Sequence, residues 1–227
     1  MAAKARQLLR SKSLTEQAAD EIRQRIVFGD IALGALLSEN TLAAELGVSK
    51  TPVREALLQL KNEGLVSIKP QRGSFVFDLS PPEITQLGDL RETLEVAALR
   101  LAMKHDRDGL GEDLGEVLAK MKKALAKNDA ASYRKLDADF HRAMFERSAN
   151  KYLLAAYLGI AFRVQALRTR LSANPMLNRS SFKDHEKIHK LVEAGRTADA
   201  VALLSSHVRG TTGDYAATID AHRARAS

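Results

Sequence analysis

Apolar residues in "LTEQAADEIRQRIVF", residues 14–28, fall at Leu14, Ala18, Ile22 and Ile26, one helical turn apart, with charged and amide side chains between them. That period draws a single apolar stripe along a helix and predicts that the stripe is buried. Gly29 ends the pattern. A second periodic run, "ENTLAAEL", follows Ser38, a residue type that caps helices by accepting from their free amides, and stops at Gly47. After a short turn a third run begins. Ser49 is placed to cap it, Pro52 lies in its first turn where no intrahelical N–H is needed, and Val53, Ala56, Leu57 and Leu60 form its buried face. The period then changes: "LVSIKP" and "GSFVFDL", rich in β-branched and aromatic residues, flank "QRG" and predict a two-stranded hairpin. Helix, glycine turn, helix and hairpin together make a winged helix-turn-helix.

Beyond the hairpin the helical period holds to the end of the chain. Ser80, Pro81, Pro82 and Glu83 have the spacing of a capping box with proline in the first turn. Amphipathic segments follow at 83–105, 110–127, 129–147, 150–172, 176–194 and 197–222, with no convincing strand among them. The expected protein is mainly α, a winged helix-turn-helix over residues 1–79 followed by an antiparallel α-helical bundle over 80–227.

The polar residues of the third run suggest its chemistry. Ser49, Lys50 and Thr51 sit at its amino end with Arg54 one turn on, the part of a recognition helix that enters a major groove. Hydroxyls and a helix amino terminus suit phosphate, while Lys50 and Arg54 can reach guanine edges or phosphate. The alternative is that Ser49 only caps the helix and the two cations are a solvated face.

The second half raises a different possibility. His185-Glu186-Lys187-Ile188-His189 reads as H-E-x-x-H, the spacing with which zinc peptidases present two imidazoles and a glutamate base. A metzincin would continue with Gly at 192 and His at 195, where this chain has Val192 and Gly195, and no glutamate follows Glu193 to serve as another third ligand. Asp137 and His141, i and i+4 in "YRKLDADFHRAMF", share one helix face, and His185 and His207 lie on two further helices. Facing helices of a bundle can aim four such ligands at one point. A lone histidine on a helix is more often just a partly buried, hydrogen-bonded side chain.

Composition narrows these readings. At 227 residues and 45% hydrophobic content the chain can bury a sizeable core, and its net charge of +7 favours a polyanionic partner. With 5% aromatics and no Trp, a base-stacking platform for single strands is not expected. No run is long enough to span a membrane, and "MAAKARQLLRSKS" is basic without a following apolar stretch, so a cytoplasmic protein without membrane contact is expected. Without cysteine, any metal site must use His and carboxylate.

Residues 37–76, "LSENTLAAELGVSKTPVREALLQLKNEGLVSIKPQRGSFV", resemble the DNA-binding domain of the GntR superfamily of bacterial transcriptional regulators, whose hallmark is a "GVSRTPVREAL" core, a following "GLV" and an "RG" wing tip. Lys50 replaces the usual Arg, and Asn40 stands where the second helix often carries Arg. The resemblance implies that Ser49, Lys50, Thr51 and Arg54 read or grip the major groove of double-stranded operator DNA. It implies further that Asn40 braces from the second helix and that Arg72 and Gly73 carry the wing toward the minor groove.

Residues 84–222 resemble the FCD ligand-binding domain of FadR-type GntR regulators, through "RETLEVAALRLA", "LDADFHRAMFERSAN" and "DHEKIHKLVEAGRTADAVALLSSHV". Asp184 stands where the family usually has Glu. The resemblance implies a divalent metal of the Zn, Ni or Mn class on Asp137, His141, His185 and His207, beneath a pocket for a small carboxylate metabolite. Arg91 would hold the other end of that effector, or else pair with Glu95 on a solvated face; His189 would bond the effector or a ligand histidine, or do neither. The implied protein is a homodimeric regulator, more a repressor than an activator. A regulator whose effector is the metal itself and a zinc peptidase on His185, Glu186 and His189 are the alternatives.

Overall fold

The computed structural model describes residues 12–171 and 175–226, so the basic stretch over residues 1–11 and position 172 of the predicted fourth bundle segment lie outside the described residues. The chain divides into two compact units, one of Ile31–Phe77 with the residues up to Ile26, the other of the residues from Asp78 onward with Val27–Asp30.

The first unit contains α1 (Leu14–Phe28) up to Ile26, β1 (Leu36–Leu37), α2 (Glu39–Leu46), α3 (Lys50–Asn62), β2 (Val66–Lys69) and β3 (Gly73–Val76). Ser38 caps α2 by accepting from the Thr41 amide at 3.3 Å, and Gly47 ends it in the left-handed region at φ 66°. Ala18, Ile22, Ile26, Val53, Ala56, Leu57 and Leu60 are buried as the stripes predict. Leu14 departs from its stripe and is 57% exposed, because the first residue of α1 overhangs the core. Ser49 has the extended backbone of an N-cap but accepts no bond from the α3 amides, so its hydroxyl is not used as a cap.

The hairpin forms in the predicted place, with Val66 opposite Val76 and Lys69 opposite Gly73. It also gains a third strand, β1, which pairs antiparallel with β3 in the order β1-β3-β2. A two-residue pairing is too short to leave a period in the sequence. Gly73 carries φ 104°, and a Cβ there would lie 3.2 Å from a Leu36 methyl, so the wing tip combines positive φ with a close approach.

The second unit is helical throughout its described residues: α4 (Pro81–His105), α5 (Arg107–Ala126), α6 (Ala130–Arg147), α7 (Lys151–Leu171), α8 (Pro175–Glu193) and α9 (Thr197–Ala226). The Ser80 amide donates to Glu83 at 2.8 Å, completing the capping box. α5 starts earlier than its apolar period because Asp106 caps it, accepting from the Gly109 amide at 3.1 Å. The α5–α6 and α8–α9 pairs, each joined by a tight turn, pack side by side, while α4 lies against α6, α7 and α9.

α4 and α9 approach closely at Gly88, where an added Cβ would lie 2.3 Å from the Thr212 Cγ2. Gly88→Ala is therefore expected to destabilise the protein by roughly 1–2 kcal/mol, the overpacking penalty outweighing the helix propensity gained. A lower urea midpoint, partly restored by adding Thr212→Ala, is the expected measurement; an unchanged midpoint would show that the helices part without cost.

Candidate metal centre and DNA-reading face

Three helices of the second unit bring the predicted histidines together. His141 from α6, His185 from α8 and His207 from α9 are buried, and their ligand nitrogens lie within 4.8 Å of one another. Each outer imidazole is held from behind. His141 donates through Nδ1 to Glu95 Oε2 at 2.7 Å, and His207 Nδ1 lies 3.5 Å from Asp184 Oδ2. A carboxylate on one ring nitrogen fixes the tautomer and leaves the Nε2 lone pair facing inward, the arrangement found behind metal-bound histidines.

His185 is different. It is fully buried, stacked on Phe140 with ring centroids 4.2 Å apart, and neither ring nitrogen has a hydrogen-bond partner. An imidazole buried with both nitrogens unsatisfied needs an explanation, and a bound cation supplies one. Burial first, and then His207, push His185 well below its ordinary pKa. Burial followed by the Arg168 and Arg91 cations does the same to His141. Both therefore offer the neutral form that binds metal.

Asp137 stands at the edge of this cluster. Its Oδ1 is 3.8 Å from His185 Nε2, and its Oδ2 is 3.0 Å from Arg168 Nε. Burial alone would push its carboxyl up, but Arg168 and the histidines hold it well below the usual carboxylate range. It is ionised, but its oxygens do not join the group of ligand atoms that lie within 4.8 Å of one another, so the structure brings the three histidines together and leaves the predicted Asp137 at their edge.

The arginine reading changes. Arg91 is 1% exposed, so its pair with Glu95 lies in the core and not on a solvated face. Its Nε donates to Glu95 Oε1 at 2.7 Å, its Nη1 to Thr211 at 3.2 Å, and its Nη2 lies 3.2 Å from His141 Nε2. His189 is also relocated. Its Nε2 lies 3.0 Å from the Gly111 carbonyl of α5 and its Nδ1 3.7 Å from Glu193, so it bonds neither the ligand histidines nor the cavity beside them. His189 is engaged by the α5 backbone, whereas His185 joins His141 and His207, so the two histidines of the H-E-x-x-H stretch do not gather at one point as a zinc peptidase would need.

A cavity of about 300 Å³ opens beside the cluster, lined by Arg91, Asp137, Arg168 and His207 together with hydroxyl and amide side chains of α8 and α9.

In the first unit, Asn40, Ser49, Lys50, Thr51, Arg54, Arg72 and Gly73 are all exposed. Arg54 forms a fork with Glu39 of α2, its Nη2 2.8 Å and its Nε 3.1 Å from the carboxylate oxygens. Glu39 thus holds Arg54 in place, a role that its position after the cap of α2 did not disclose.

Comparison with known proteins accords with both halves. The profile of the bacterial regulatory proteins of the gntR family matches residues 14–76, and that of the FCD domain matches residues 86–210. The chain belongs to the GntR family. The gluconate operon transcriptional repressor of Bacillus subtilis (strain 168) is 31% identical over 197 residues, spanning 83% of this chain and 78% of that protein. The HTH-type transcriptional repressor RspR of Escherichia coli (strain K12) is 30% identical over 138 residues, 61% of this chain and 60% of that one. The solved structure of E. coli McbR/YncC superposes with a TM-score of 0.77 at 24% identity, covering 90% of this chain and 98% of that chain, and shows a shared fold.

As a GntR-family protein with an FCD domain, this regulator binds operator DNA through its winged helix-turn-helix, and no described helix is long and apolar enough to cross a membrane. Sequence reasoning missed Glu95, Arg168 and Asp184 as supports of the site, although Arg91 and Glu95 occupy apolar-stripe positions between Ile84, Leu87 and Ala98. Charges in such a stripe are the signal that could have found them.

Removing one member of a buried ion pair leaves the other uncompensated. Glu95→Ala is accordingly expected to cost about 3–5 kcal/mol in a urea denaturation experiment. A loss near zero would mean that Arg91 finds water or another acceptor once Glu95 is gone.

Proposed function

We propose that this protein is a homodimeric, cytoplasmic transcriptional repressor whose grip on double-stranded operator DNA is controlled by a small carboxylate metabolite bound at a divalent metal ion of the Zn, Ni or Mn class. The observation that carries the effector half is His185, fully buried with both ring nitrogens unpartnered between two oriented imidazoles. Asp137, His141, His185 and His207 would hold the ion, and their N/O donor set suits a borderline metal. The ion's chemistry is that of a Lewis acid that accepts an anionic oxygen.

This chain's own residues do the rest. Glu95 and Asp184 keep His141 and His207 in the metal-binding tautomer. Arg91 lines the cavity with its Nη2 on the one lone pair of His141 Nε2; were that lone pair given to a metal, Nη2 would need another acceptor, and the effector would supply it. Repression is supported by the B. subtilis and E. coli relatives, both of which are transcriptional repressors. In the DNA-binding unit, Ser49, Lys50, Thr51 and Arg54 at the amino end of α3 would enter the major groove, with Asn40 bracing and Arg72 and Gly73 of the wing at the minor groove. A ligand can shift operator binding only through different affinities for the DNA-competent and DNA-incompetent arrangements. Gel-shift titration of the metal-loaded protein with carboxylates tests the whole reading. Release of the operator by metal alone, with no carboxylate effect, would favour a metal sensor.

Arg54→Ala is expected to weaken operator binding roughly 10- to 100-fold at fixed salt while leaving the fold intact, since Arg54 is exposed and its buried neighbours lie on the other face of α3. Unchanged binding in a gel shift would remove Arg54 from the reading face.

His207→Ala is expected to abolish stoichiometric metal and blunt the carboxylate response, yet keep operator binding by the effector-free protein. Glu186→Gln, by contrast, is expected to leave metal content, operator binding and effector response at wild-type level. Elemental analysis and gel shifts check both. Metal-dependent peptide cleavage by the wild type, lost in Glu186→Gln, would restore the peptidase reading.

A further inference from the structure

A carboxylate among DNA-reading residues needs a reason, because it meets the same phosphates that the cations around it attract. Glu39 is such a group. It is the first residue of α2 and holds Arg54, one turn into α3, by the edge of its guanidinium. Nε of Arg54 lies 3.1 and 3.2 Å from the two carboxylate oxygens, and Nη2 lies 2.8 Å from one of them. Stability does not supply the reason. The Arg54 side chain is 65% exposed and that of Glu39 30%, and ion pairs so open to water contribute little to a fold. The packing of α1 on α2 and α3 has ion pairs of its own, Arg25 with Glu45 and Arg23 with Glu63. The hydrogen bonds from Arg54, with Lys50 a smaller cause, hold the Glu39 carboxyl below its ordinary pKa, so it is ionised.

The two side chains therefore set a pair of donors beside an acceptor. The major-groove edge of a G·C pair carries the complementary row: N7 and O6 of guanine accept, and next to them N4 of cytosine donates. An A·T pair does not match, because the adenine N6 donor separates its two acceptors and the fork finds no adjacent pair. A phosphate accepts from Arg54 but offers Glu39 nothing. Released there, the carboxylate stands beside a polyanion without a donor, and its lost partner is not replaced.

We propose that Glu39 and Arg54 together read one G·C pair: Arg54 exchanges Glu39 for guanine O6 and N7, and Glu39 accepts from the N4 amino group of the paired cytosine. This rests on the reading of Arg54 as a major-groove residue. Glu39 then acts twice. On the matching pair it adds a bond, and on every other sequence it holds Arg54 back from the phosphates, so the cost of letting go falls on non-specific binding.

The test uses full-length, effector-free protein and a duplex that the wild type selects from a randomised library. The base pair read by Arg54 is the one whose guanine preference disappears when Arg54→Ala repeats the selection. In the selected duplex the cytosine of that pair is replaced by 2-pyrimidinone, which lacks the N4 amino group. The replacement is expected to weaken wild-type binding about 5- to 20-fold in a gel shift, and binding by Glu39→Ala less than about twofold. Glu39→Ala should keep a urea midpoint near that of the wild type. It is expected to bind a duplex without the site about 3- to 10-fold more tightly, with a slope of log affinity against log salt steeper by about 0.9, because Arg54 is free to take a phosphate. An equal loss in both proteins on 2-pyrimidinone, or no loss in the wild type, would show that Glu39 does not touch the cytosine; the inference would be overturned while Arg54 kept its place in the groove. Binding by Glu39→Ala that is weaker on every duplex by one factor would reduce Glu39 to a brace between α2 and α3 and would likewise overturn it. If Arg54→Ala selects the wild-type sequence, Arg54 does not read the groove, and the inference falls together with that reading.

Discussion

The carboxylate of Glu95 is the point on which the second unit turns. It is fully buried, and both its oxygens are engaged, one by Arg91 and the other by His141. Withdrawing such charges from water is costly, and only the completed set of partners offsets the cost. The set spans α4 and α6 directly and reaches α9 through the bond from Arg91 to Thr211. Helices that could otherwise slide along an apolar interface are thereby held to one arrangement, because a slip would strand a charge. The same set decides which nitrogen of His141 faces the interior, so a constraint of folding is also a constraint on the chemistry of the site.

A second buried set, Asp137 with Arg168, ties α6 to α7. Between the two sets lie the three imidazoles, two of them backed by carboxylates and the third packed against Phe140 without a polar partner. The contrast with the DNA-reading face is one of dielectric. Arg54 also forks onto a carboxylate, Glu39, but both are in solvent contact and the pair is easily exchanged for another anion. Arg91 is confined by the same chemistry that merely parks Arg54. A reading residue must be able to let go.

The long helices were legible because their apolar residues repeat over many turns, and the wing because its period switches from that of a helix to that of a strand. The meeting of His141, His185 and His207 followed from residue type and helix faces, aided by resemblance to the FCD domain. Other features left weaker traces. β1 is too short for a period, and the exposure of Leu14 depends on where the opposing elements end. The i, i+4 spacing of Arg91 and Glu95 looks the same on a wet face as in a core, and only the neighbouring Ile84, Leu87, Ala98 and Leu99 distinguish the two. Of the roles open to His189, the structure shows a bond to the α5 backbone at Gly111, a contact between helices that spacing along one helix does not encode.

The imidazoles of the cluster come from the middle of α6, the middle of α8 and a central turn of α9, while Asn178, Ser180 and Ser181 lie nearer the start of α8. Substitutions in that short amino-terminal stretch could remodel the cavity wall without disturbing His185, Glu95 or the packing of α4 on α9. A scaffold divided in this way lets ligand choice drift among descendants of one gene while the coordinating core and the fold are inherited intact.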